Sequence, residues 1–125
     1  MALEDEAKIV YVQTHGTDEP SKAATPFYLA TAAAAMDMEV SIYFTMHGPE
    51  LLKKGTGDTL TVKDGGAPLH TFISQAQDIG VRFLVCQPSL NLVDLEMEDL
   101  IDGVEMIGGA AFNFMAVEAD AVISF

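Results

Sequence analysis

Five short apolar runs, each stopped by a turn-forming residue or the chain's end, constrain this sequence more than any other feature. Lys8–Gln13 (KIVYVQ) halts at His15-Gly16, residues 40–45 (VSIYFT) at His47-Gly48, and 81–85 (VRFLV) at Cys86 and Gln87-Pro88-Ser89. Val104–Ile107 (VEMI) lies between Gly103 and Gly108-Gly109, and 121–125 is the last run. Such β-branched and aromatic runs suit strands packed on both faces of a sheet. The stretches between them carry helical signals, so the order β-α-β-α-β-α-β-α-β predicts a parallel sheet with helices on both faces.

The helical signals differ in kind. Thr25-Pro26 reads as an N-cap followed by proline at the first helical position, before the alanine-rich run 27–36. The first helix is therefore expected to start between Ser21 and Pro26. Residues 49–54 suit one helical turn. Residues 55–66 hold four glycines and few apolar side chains, which predicts a mobile loop or short ribbon. Leu69, Phe72, Ile73, Ala76 and Ile79 fall on one helix face, and Gly80 stands where a C-cap glycine does. Asp94 is read as the cap of a short acidic helix through Ile101, and 110–119 as the last helix.

At 125 residues the chain fits one domain, 1–125, with neither internal repeat nor linker. Half of its residues are apolar, which argues against disorder, while 6 Lys+Arg against 19 Asp+Glu give a net charge of −13. That field repels phosphate backbones and anionic headgroups, so neither nucleic acid nor a membrane surface is an expected partner. No apolar run approaches the roughly 20 residues a membrane-spanning helix needs. The acidic start MALEDEAK lacks the basic and apolar regions of an export signal, and one cysteine cannot form an internal disulfide. A cytoplasmic protein is expected.

Ligands of open parallel sheets gather at the carboxyl ends of the strands. His15, His47 and Cys86 all fall there, and Gly16 and Gly48 let the backbone turn sharply and a ligand approach. Two readings of Cys86 stay open. A free cysteine is often a buried, inert thiol. It becomes a nucleophile where a helix N-terminus or a cation favours its thiolate, whereas acidic surroundings would disfavour it. Two imidazoles and a thiolate also suit zinc or copper, so His15, His47 and Cys86 form an alternative metal or small-anion set, although no compact ligand spacing supports it. His70, after Pro68, reads as structural, and Glu96, Glu98, Asp99 and Asp102 as a solvated face. No G-x-G-x-x-G, Walker lysine or nucleophile-elbow serine is present.

The segments VSIYFTMHGPELLKKG, GVRFLVCQPSL and GVEMIGGAAFNFMAVEADAVISF, with the alanine-rich first helix, resemble the DsrE/DsrF-like family of small sulfur-relay proteins, which includes the TusD-type subunits. The resemblance covers nearly the whole chain. It implies a three-layer α/β/α sandwich, flavodoxin-like in appearance, on a five-stranded parallel sheet of order 4-3-2-1-5. It also implies a sulfur carrier with a persulfide on Cys86, sulfur donor and acceptor proteins as partners, and no cofactor. A self-contained sulfurtransferase is less expected, because no second cysteine can resolve the persulfide. His15, Gly16, His47, Gly48, Gln87, Pro88 and Ser89 are then the expected lining of the substrate site, with 55–66 as a lid. A trimer or hexamer is expected as well. Residues 108–117 are small or apolar on nearly every helical face, which calls for burial on all sides.

Overall fold

The computed structural model describes residues 6–125. Of the acidic N-terminal segment, Met1 to Asp5 lie outside the described residues. The strands are β1 (Lys8–Gln13), β2 (Glu39–Phe44), β3 (Arg82–Cys86), β4 (Val104–Ile107) and β5 (Ala121–Ser124). They form one parallel sheet of order β4-β3-β2-β1-β5, the order the resemblance implied. The helices are α1 (Ala24–Ala35), α2 (Thr56–Thr59), α3 (Leu69–Asp78), α4 (Gln87–Leu92) and α5 (Gly109–Glu118).

Alternation along the central strands divides the core in two. Tyr11, Ile42, Phe44, Phe83 and Val85 face α1 and α3, which contribute Phe27, Ala30 and Ala33, and Leu69, Ile73 and Ala76. Alanine at the buried positions of α1 lets its backbone approach the sheet closely. The rings of Phe27, Phe44 and Phe83 meet at centroid distances of 5.5 to 5.8 Å, an interlocked aromatic centre. On the opposite face, Val10, Val12, Tyr43 and Leu84 pack with Phe112 and Met115 of α5 and with Ala119 just after it. That helix buries no residue completely.

Several boundaries differ from the sequence expectation for identifiable reasons. A 3-10 turn at Pro20–Lys22 runs directly into α1, so Thr25 and Pro26 fall inside its first turn, and Thr25 does not cap it. Proline is tolerated there because first-turn N–H groups have no intrahelical partner. Residues 55–66 are neither plain loop nor ribbon: α2 forms there, and Thr61 makes an isolated bridge with Pro68. The acidic stretch forms only a 3-10 turn, Met97–Asp99, held by a capping box between Glu96 and Asp99.

Asp94 caps nothing. It adopts φ +55° and ends α4, a helix the sequence reading missed. Three helices end alike: a residue at positive φ (Asp37, Gly80, Asp94) lets the next N–H reach back, from Met38 to the Ala33 carbonyl, Val81 to Ala76, and Leu95 to Leu90. This is the Schellman closure, in which aspartate stands in for glycine at tolerable cost.

Replacing Phe83 by alanine leaves a void among three aromatic rings, and about 3–5 kcal/mol of stability should be lost. Urea unfolding at unchanged slope checks this; a loss below about 1 kcal/mol would show the cluster to be loosely packed.

Candidate functional site

The β3 alternation places Cys86 on the α5 face as the last residue of the strand, paired with Ile107 of β4. The backbone then turns at once into α4, and Pro88 sits in its first turn, where no N–H is needed. Cys86 is half-buried, Gln87 and Pro88 are exposed, and Ser89 is buried.

Neighbouring β2 presents Tyr43 on the same face, opposite Leu84, followed by Thr45 just beyond the strand. The Ser89 hydroxyl accepts the Met46 N–H at 2.7 Å and lies 3.1 Å from Thr45 Oγ1. Met46 itself is held at φ +56°, a left-handed conformation disfavoured for an ordinary side chain, so the turn after β2 is drawn toward α4 against local preference.

Two influences compete at the thiol. Burial pushes its pKa up, but the polar groups beside it, the Tyr43 hydroxyl first and then Ser89 and the Thr45 hydroxyl, favour the thiolate and bring the pKa below the ordinary thiol value. These groups favour the thiolate, which is a stronger acceptor than the neutral thiol. Burial first, and then the hydrogen bond to Cys86, raise the Tyr43 phenol well above its usual value, so it remains a neutral donor. Against the expectation that acidic surroundings would suppress the thiolate, its pKa is lowered, and the groups beside it are hydroxyls and an amide.

The other strand-end residues have different neighbours. His15 Nδ1 lies 3.3 Å from Thr14 Oγ1, whose hydroxyl donates to the Phe125 carbonyl at 2.7 Å. His47 is exposed, with Nδ1 3.9 Å from the Glu50 carboxylate. Neither is among the groups hydrogen-bonding Cys86. Among the described residues no three His, Cys, Asp or Glu side chains converge to hold a metal ion, so His15, His47 and Cys86 are not assembled as a ligand set.

Gly16 and Gly48 serve the backbone. A Cβ at Gly48 would collide with the Gln13 carbonyl, and one at Gly16 with the Glu50 carboxylate and the His47 carbonyl. The two strand-end loops thus interlock with each other. Residues 62–67 do not cover the thiol, because Val62, Lys63, Gly66 and Ala67 line a cleft with Ala24, Tyr28 and Phe72 on the α1/α3 face. Sequence reasoning missed Tyr43 and Thr45. Their signal was strand alternation, which needs the β2–β3 register to become a statement about Cys86.

The fold and the site define a parallel α/β domain with a half-buried cysteine beside hydroxyl groups at the carboxyl edge of its sheet. The chain belongs to the DsrE/DsrF-like family, whose model matches residues 7–125. It is 27% identical to the sulfur carrier protein DsrE2 of Allochromatium vinosum, over 93% of this chain and 96% of that protein. It is 28% identical to the uncharacterised protein MJ0760 of Methanocaldococcus jannaschii, over 87% of this chain but 40% of that longer one. Among solved structures, YchN of E. coli superposes with a TM-score of 0.78 and MTH1491 of Methanobacterium thermoautotrophicum with 0.64. Each is 15% identical and matches 97% of this chain and 100% of its own, which shows the shared fold.

Because the folded state lowers the thiol pKa, alkylation of Cys86 by iodoacetamide should reach half its maximal rate at a lower pH in the native protein than in urea. The Ser89→Ala protein should move back toward the unfolded midpoint. Coincident native and unfolded profiles would contradict the hydrogen-bonded thiolate.

Proposed function

We propose that this protein is a sulfur carrier of the cytoplasm that holds sulfane sulfur as a persulfide on Cys86 and passes it to a partner protein. One observation carries the reading: the chain's single cysteine stands half-buried at the sheet edge among donors that favour its thiolate. Family membership and the sulfur carrier relative from A. vinosum support it.

In loading, the Cys86 thiolate attacks the outer sulfur of a donor persulfide. A new S–S bond forms, the donor's own S–S bond breaks, and the donor leaves as a thiolate. In delivery, an acceptor thiolate attacks the outer sulfur on Cys86, and the Cys86 thiolate departs. No net oxidation occurs in either step. Without a second cysteine, the bound sulfur leaves only to another molecule. Exposed Gln87 and Pro88 border the sulfur and are proposed to meet the donor or acceptor, with His47 available on the neighbouring strand end.

Incubation with a sulfane donor followed by intact-mass measurement should show the gain of one sulfur atom, absent in Cys86→Ser. No gain, or a gain surviving the substitution, would remove the reading.

We also propose a homo-oligomer, a trimer or a dimer of trimers, with α5 at the contact. Phe114 is 71% and Val117 86% exposed on its outer face, beside Ala110 and Asn113. Unpaired apolar surface of this kind is what subunit contacts cover. The −13 charge opposes association, so added salt should strengthen it. Light scattering should give a multiple of the monomer mass, and Phe114→Glu should reduce it to the monomer. A monomer across a range of concentrations and salt would refute the assembly.

A further inference from the structure

We propose that Tyr43 is a positioning residue for Cys86, its hydroxyl aimed at the sulfur by the stack of its ring on Phe112, so that the seating of α5 on the sheet sets the reactivity of the thiol. The proposal rests on the carrier reading above and adds the residue that tunes it and the element through which tuning acts.

The geometry is specific. Tyr43 is only 5% exposed, and its ring lies 4.1 Å from that of Phe112 at an interplanar angle of 23°, a close stack. Phe112 and Met115 of α5 and Ile107 of β4 complete an apolar surround for Tyr43 and Cys86. The groups acting on the sulfur are Tyr43 from β2, Thr45 from the turn after it and Ser89 from α4, and none of these carries a charge. Thr45 and Ser89 are tied to each other and to the Met46 N–H. Tyr43 is instead oriented by a helix that is nowhere fully buried and shows an apolar outer face.

The role matters most in delivery. When an acceptor thiolate takes the outer sulfur, the electron pair of the broken S–S bond returns to Cys86 Sγ, and a donor fixed on that atom makes it a better leaving group.

The test is the pH profile of Cys86 alkylation, measured without any sulfur donor. Tyr43→Phe keeps the ring and its stack but loses the hydroxyl. Its midpoint should rise, and its rate at neutral pH should fall roughly tenfold, the scale of one hydrogen bond to a charged group. Phe112→Leu should shift the midpoint in the same direction by less, and Phe112→Tyr should restore it. Phe112→Leu added to Tyr43→Phe should cause no further shift, because the hydroxyl it aims is already gone. An unchanged midpoint in Tyr43→Phe, or full additivity of the two changes, would overturn the proposal. Sulfur loading followed separately by mass tells the two failures apart. Loading on Cys86 with an unmoved Tyr43→Phe midpoint sinks the positioning role alone. A shifted midpoint with no loading sinks the carrier reading alone.

Discussion

The pairing of β2 with β3 is the constraint from which the site follows. Tyr43 opposite Leu84 and Phe44 opposite Val85 send Phe44, Phe83 and Val85 to the α1/α3 face, and Tyr43, Leu84 and Cys86 to the α5 face. Side chains alternate along a strand, so a slip of one residue would exchange the faces, moving Cys86 to the α1/α3 face and Phe83 to the α5 face. The aromatic centre of Phe27, Phe44 and Phe83 forbids that slip. The packing that holds the fold therefore also fixes which chemistry the thiol meets.

The strands were legible because each is a β-branched or aromatic run between turn residues, and their order came from the resemblance. What stayed hidden was short-range or depended on register. The helix α4 is six residues long, too short for periodicity to reveal, and its closing residue is an aspartate where glycine is the usual sign. Cys86, Gln87, Pro88 and Ser89 were singled out as a strand end, yet of these the buried Ser89 reaches the sulfur while Gln87 and Pro88 face solvent. Tyr43 read only as part of a strand run, since nothing in one strand says what lies across from it. Gly16 and Gly48 were read as glycines that let the backbone turn and a ligand approach, whereas in the structure a side chain at either would meet protein. The objects that approach them are the neighbouring loop's carbonyls and the Glu50 carboxylate, which no local pattern encodes.

The net charge of −13 has less effect on the thiol than its size suggests. The groups beside Cys86 are hydroxyls and an amide rather than carboxylates. A charge-free shell has a physical consequence. Exposed ion pairs are screened by salt, whereas uncharged polar groups in a half-buried site are screened little, so the tuning of the sulfur depends weakly on ionic strength. The proposed contacts between subunits or with partner proteins would remain salt-sensitive, so association and thiol chemistry would be set by different forces in one molecule.

That separation suits a carrier better than a catalyst. Lowering a thiol's pKa raises the thiolate fraction and its leaving ability but reduces its intrinsic nucleophilicity, so the same hydrogen bonds ease departure while tempering attack. The proposed carrier, with one cysteine, would gain from such a compromise, since it would take sulfur from one partner and surrender it to the next with no internal thiol to force either step. The sulfur's own surroundings reach the outer surface by one short route, through Tyr43 and Phe112 to the exposed face of α5.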